Sequence, residues 1–240
     1  GPSTLRVGVE KSRNLMTVRL AQAIGMDRVS EYAKRFGVID NLQPVLAMSL
    51  GAGETTLLKM TMAYSEFVNG GKKITPTLID RIQNRSGTTI YRHDKRECGD
   101  CLAVAWQGQS EPGLPDPRAQ VIDAVTAYQI TSILEGVVQR GTGIRIRELG
   151  KPLAGKTGTT NDSMDTWFVG FSPDLAVGVF IGYDTPKDMG KRETGSSVAV
   201  PVFKAFMAEA LQGKPNIQFR VPPGVRLVRV QAETGELARP

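Results

Sequence analysis

Residues 154–184 read AGKTGTTNDSMDTWFVGFSPDLAVGVFIGYD. A small polar segment with one cation, GKTGTT at 155–160, runs straight into two apolar runs, TWFVGFSP and LAVGVFIGY, separated by Pro173 and Asp174. Runs of this length and β-rich composition, broken by a turn dipeptide, predict two neighbouring strands. Their nearly unbroken apolar character predicts central strands covered on both faces. Lys156 then falls on a strand edge, where it offers a point charge for a carboxylate. Thr157 and Thr159 add hydroxyls, Gly158 lets a substrate backbone approach closely, and the Thr159 N–H is left to face a developing oxyanion. The tripeptide Lys156-Thr157-Gly158 alone reads equally as a solvated turn before a strand. GKPLAGKT at 150–157 also fits the GxxxxGK[ST] spacing of a phosphate loop. That loop requires a helix after it, and a strand pattern follows here instead.

Helical periodicity covers much of the rest. NLMTVRLAQAI, residues 14–24, predicts a helix stopped by Gly25, and Asp27 caps a second one that closes at Gly37. TTLLKMTMAYSEFV, 55–68, predicts a third that ends at Asn69-Gly70-Gly71. Alternation about Ser86-Gly87 predicts a β-hairpin, and RLVRVQAETGELARP predicts another that turns at Thr234-Gly235. A Gly-, Pro- and Cys-rich stretch at about 94–115 is long for a compact domain and reads as a surface insertion. Asp116 and Pro117 supply a cap and first turn for a long helix that stops at Gly141, and a last helix spans about 198–211. The order predicts an α+β fold, an antiparallel β-sheet with helices packed on it.

The 240 residues carry a net charge of +6, which permits an anionic partner without choosing one. Lysines and arginines are scattered, with short clusters only at Lys72-Lys73 and at 92–96, so no nucleic acid is expected as partner. No apolar stretch approaches the roughly 20 residues of a spanning helix. The first residues lack the charged start and apolar core of a signal peptide, and the chain does not begin with methionine; it reads as a mature piece of something longer. Cys98 and Cys101 form a lone CxxC in a polar loop, either a disulfide or two thiols. A zinc site needs about four ligands, and the single histidine, His93, supplies one more, so no metal and no cofactor is implied. That histidine lies in a charged segment, so acid/base chemistry near neutral pH falls to a lysine or a carboxylate.

Ser12-Arg13-Asn14 lies between a strand-like opening and a helix, and together with KTG it resembles two of the three motifs of the penicillin-binding protein and serine β-lactamase superfamily. GPSTLRVGVEKSRNLMTVRLAQ, SLGAGETTLLKMTMAYSEFVNGG and the 154–184 stretch resemble the transpeptidase domain of class A, bifunctional penicillin-binding proteins. So does the terminal VPPGVRLVRVQAETGEL, so residues 1–219 and the β segment 220–240 are expected to form one domain. The resemblance implies a peptidoglycan D,D-transpeptidase inhibited by β-lactam antibiotics. Its serine attacks the penultimate D-alanine carbonyl of a stem peptide, expels the last D-alanine and passes the acyl group to an amine. Ser12 would relay a proton and Asn14 would hydrogen-bond the peptide. Lys156 would support Ser12 and, with Thr157 and Thr159, hold the terminal carboxylate. Gly158 completes the motif. The nucleophile belongs to an SxxK motif, and no serine here has a lysine three residues on. Thr56-Leu57-Leu58-Lys59 is the nearest imitation and falls after Ser12, on the wrong side. The resemblance thus places the nucleophile, a glycosyltransferase domain and a membrane anchor upstream, with this domain outside the inner membrane on the periplasmic side, and the chain alone inert. Within the superfamily a β-lactamase or D,D-carboxypeptidase uses the same motifs; a non-catalytic peptidoglycan-binding or sensor domain is the alternative of another class.

Overall fold

The computed structural model describes residues 3–96, 108, 114–160, 163–190, 192–231 and 234–238. It divides into two compact units, residues 1–73 with 120–240, and residues 74–119.

The larger unit opens with a helix, α1 (Leu5–Glu10), where the sequence suggested a strand. Val7-Gly8-Val9 does look strand-like, but the Thr4 hydroxyl accepts from the Val7 N–H at 3.3 Å and caps a first turn. Helix α2 (Asn14–Ile24) follows as expected and ends at Gly25, whose φ of 88° suits glycine. Helix α3 (Met26–Arg35) starts earlier than expected: Gly25 is its cap, and Asp27 sits in the first turn, where a carboxylate complements the positive end of the helix dipole. In α4 (Leu57–Val68) the Thr56 hydroxyl accepts from the Lys59 N–H at 3.2 Å. Thr56 is thus a cap, and the Lys59 amine lies 3.7 Å from Asp40.

Helix α5 (Ala124–Arg140) corrects a second boundary. Its cap is Asp123, which accepts from the Thr126 N–H at 2.9 Å, and not Asp116, which pairs with Arg118 at 2.7 Å. Residues 120–122 do not join the helix because they are drawn to the loop after α4: Gln120 bridges to Lys72, and the Val121 N–H donates to the Gly71 carbonyl at 2.7 Å.

Strands β3 (Ala154–Thr159), β4 (Asp165–Phe171) and β5 (Ala176–Gly182) form an antiparallel sheet in that order, with Lys156 opposite Val169 and Phe168 opposite Val179. Side chains alternate across it. Phe168 packs with Ile146, Leu153, Phe203 and Met207 on the side of α6 (Ala199–Ala210), while Phe171 packs with Leu134, Tyr64 and Phe67 of α5 and α4. β4 is therefore central and covered on both faces, as expected. β5 is an outer strand and only partly buried. Its apolar run serves the helices: a Cβ at Gly178 would sit 2.1 Å from the Thr61 hydroxyl of α4, and Val177 and Val179 pack toward α6. Near the C-terminus, among the described residues, the expected hairpin is reduced to one bridge, Val230 to Leu237, about Gly235.

In the smaller unit, β1 (Arg81–Gln83) and β2 (Thr89–Arg92) form the predicted hairpin. Asn84 turns it by accepting from the Ser86 and Thr88 N–H groups, both at 2.9 Å. Cys98 and Cys101 lie outside the described residues. Among the described residues, no helix is long and apolar enough to cross a membrane.

Candidate active site

Four segments converge on the Lys156 end of β3. The first is the turn between α1 and α2. Its Ser12 has φ 52°, a left-handed conformation that costs a non-glycine residue about 1 kcal/mol. The Ser12 N–H donates to the Val9 carbonyl at 3.1 Å and the Arg13 N–H to Gly8 at 2.8 Å, so the turn is held from its N-terminal side.

The second is β3 itself. The Lys156 ammonium donates to the Ser12 hydroxyl at 2.7 Å and to the Thr157 carbonyl at 3.1 Å. Among the described residues no carboxylate pairs with it. Burial without a counter-charge penalises the ammonium form and lowers the Lys156 pKa to about 8. A lysine poised this way can accept a proton near neutral pH or, while charged, attract an incoming carboxylate.

The third and fourth segments pin the hydroxyls. Thr157 Oγ1 lies 2.8 Å from Thr142 Oγ1, just beyond α5, and the Thr142 carbonyl accepts from Ser196 at 2.6 Å. Thr159 Oγ1 accepts from the Gly195 N–H at 3.0 Å, which leaves its own proton to give. A Cβ on Gly195 would lie 2.7 Å from the Gly158 and Trp167 carbonyls, so only glycine lets that loop approach. Gly158 is small for a similar reason: a Cβ there would come within 3.1 Å of the Trp167 Cβ.

Among the described residues β3 is an edge strand of this sheet. The Thr160 N–H donates to the Asp165 carbonyl at 3.1 Å. Antiparallel hydrogen bonds alternate, so the N–H groups of Thr159 and Thr157, one and three residues back, point away from β4 toward the open edge.

Ser12, Lys156, Thr157, Gly158 and Thr159 are thus gathered at one place. Asn14 is not joined to them: it is the exposed first residue of α2 and makes no side-chain hydrogen bond among the described residues. It lines a hollow of about 370 Å³ with Ser3, Arg13, Leu15, Met16 and Arg19. Another hollow, about 180 Å³ and lined by Lys151, Asp174, Leu211 and Ile217 among others, includes none of these residues. Sequence reading passed over Thr142, Gly195 and Ser196. Their only signal was a concentration of small and hydroxyl residues at 141–143 and 194–197, a composition shared with ordinary loops.

The profile of the penicillin binding protein transpeptidase domain matches residues 1–208. Penicillin-binding protein 1A of Rickettsia bellii is 48% identical over 240 residues, which cover 99% of this chain and 30% of that protein. The protein of the same name from Pseudomonas aeruginosa is 35% identical over 271 residues, 100% of this chain and 33% of the relative. The chain therefore spans roughly a third of the length of these relatives. The crystal structure of penicillin-binding protein 1A from Haemophilus influenzae superposes with a TM-score of 0.84 at 30% identity, over 99% of this chain and 38% of that one. By the match over residues 1–208 and the likeness to these relatives, the chain belongs to the penicillin-binding protein transpeptidase domain family.

Proposed function

We propose that this chain forms the substrate-holding and proton-relaying part of a serine-type peptidoglycan D,D-transpeptidase, whose acylated serine and its partner lysine are supplied by a segment outside these 240 residues. The observation that carries the proposal is the contact of 2.7 Å between Lys156 and Ser12 beside an open strand edge. An extended stem peptide adds to that edge by strand pairing, with its terminal carboxylate against Lys156, Thr157 and Thr159. The Thr159 N–H then faces the carbonyl oxygen on which charge develops during attack. Ser12, held by Lys156, carries the proton to the departing D-alanine amine and takes one from the incoming amine. Asn14 hydrogen-bonds the peptide backbone. β-Lactams enter by the same carboxylate clamp. A glycosyltransferase domain and a membrane anchor elsewhere in the full-length protein place this part outside the cytoplasmic membrane, and the 240 residues alone take no covalent label.

Intact-mass spectrometry of the full-length protein after exposure to a penicillin tests this. A single stable adduct on a serine outside these residues, formed more slowly after Ser12→Ala or Lys156→Ala, is the expected result. A folded full-length protein that takes no adduct would falsify the proposal.

A further inference from the structure

We infer that Glu10 is a positioning residue for the Ser12–Lys156 pair and acts through Arg140; the inference rests on reading that pair as the proton relay. Glu10 is the last residue of α1, two residues before Ser12, and only 3% exposed. A buried carboxylate at a helix C-terminus is unfavourable twice over, through lost hydration and through the negative end of the dipole. It is held there by a fork: Arg140 donates through Nε to Oε2 at 3.1 Å and through Nη2 to Oε1 at 2.5 Å, with an Arg6 nitrogen 3.8 Å away.

α5 is shaped to receive it. A Cβ on Gly136 would lie 2.0 Å from the Glu10 carboxylate, and one on Gly141 would lie 2.3 Å from the Glu10 carbonyl. The backbone is tied as well. The Thr142 N–H donates to the Glu10 carbonyl at 3.2 Å, and the Lys11 amine donates to the Arg140 carbonyl at 2.5 Å.

Residues 140–142 therefore reach both members of the relay. Through Glu10 and Lys11 they dock the turn that presents Ser12. Through the Thr142 hydroxyl they hold Thr157, the neighbour of Lys156. Three contacts, Ser12 to Lys156, Thr157 to Thr142 and Arg140 to Glu10, are joined into a ring by short stretches of backbone, 156–157, 140–142 and 10–12. A left-handed serine persists only where its surroundings over-determine it, and the Glu10 fork ties those surroundings to Arg140, the last residue of α5 and two residues before Thr142.

The experiment uses the full-length protein and separates the non-covalent affinity for a labelled penicillin from the rate constant of acylation, in Glu10→Gln, Ser12→Ala and the double variant. Misplacing the relay slows chemistry, so Glu10→Gln is expected to lower the acylation rate constant by roughly 10- to 100-fold, with affinity and the final number of labelled sites unchanged. A role confined to folding would lower the number of labelled sites and leave the rate constant alone. Because Glu10 acts through Ser12, the double variant should be no slower than Ser12→Ala. Arg140→Lys, which keeps the charge but not the fork, serves if Glu10→Gln does not fold, and the same slowing is expected. A wild-type rate constant in the folded variant, or a loss that multiplies that of Ser12→Ala, overturns the inference while leaving the relay intact. If Ser12→Ala itself acylates at the wild-type rate, the relay reading fails, and this inference fails with it.

Discussion

The Lys156 ammonium donates to the Ser12 hydroxyl at 2.7 Å, and among the described residues no carboxylate shares that cation. The pair is a hydroxyl held by a cation that burial has made reluctant to stay charged. Its behaviour with pH follows from that.

The proposed carboxylate clamp needs Lys156 protonated. Its pKa is lowered to about 8 by burial, so the free protein holds the charge below that pH and loses it above. Affinity of the full-length protein for a carboxylate-bearing β-lactam, measured before acylation, should be flat below about pH 8 and weaken by about tenfold per pH unit above it. Lys156→Arg stays charged throughout this range and should abolish the upper limb. An affinity in the parent protein that stays flat through pH 8 would separate the clamp from the Lys156 charge.

Ser12→Gly separates strain from chemistry. Glycine adopts the φ of 52° without penalty, a gain that offsets the hydrogen bond to Lys156 lost with the hydroxyl, so the melting temperature should change by less than the equivalent of about 1 kcal/mol. The relay hydroxyl is lost, and acylation should slow by about 100-fold or more. A variant as fast as its parent would remove Ser12 from the reaction.

Thr142→Val removes the hydroxyl that steadies Thr157 but preserves size. Loss of one hydrogen bond of this kind costs about 1 kcal/mol, so carboxylate affinity should fall roughly three- to tenfold. Thr142→Ser should restore it. Equal affinities across the three proteins would leave Thr142 without a part in the clamp.

Thr56→Ala addresses the imitation of SxxK. Thr56 is the cap of α4, so its loss should cost about 1 kcal/mol of stability and leave the acylation rate constant as it was. A fall in that rate constant at unchanged stability would be the contrary result.

The sheet and most helices were legible because their signals are local. Apolar runs either side of Pro173 specify β4 and β5, and the stop residues of α2 and α4 stand beside them in sequence. Where reading failed, a distant contact decided. Asp116 and Asp123 are equally good caps, and the choice falls to Asp123 because Val121 is drawn to the Gly71 carbonyl. The opening alternates like a strand and is helical because a cap fixes its first turn and α5 receives its last residue. At the site the same division holds. Ser12, Asn14 and the 156–159 stretch were singled out through motif and resemblance, and of these the structure joins Ser12 to the 156–159 stretch and leaves Asn14 apart. Thr142 matters through a residue 15 positions away, Gly195 through one 36 away and Glu10 through one 130 away, and no window of sequence contains those pairs.

Ser12 and Lys156 are separated by 144 positions. As the chain emerges from the ribosome, the serine is made first and must wait for the lysine, and contacts of such long range form late and slowly. The Ser12–Lys156 contact is therefore absent from any half-finished intermediate. On the proposed function, the speed at which a β-lactam labels the full-length protein then reports completed maturation of the newly made chain.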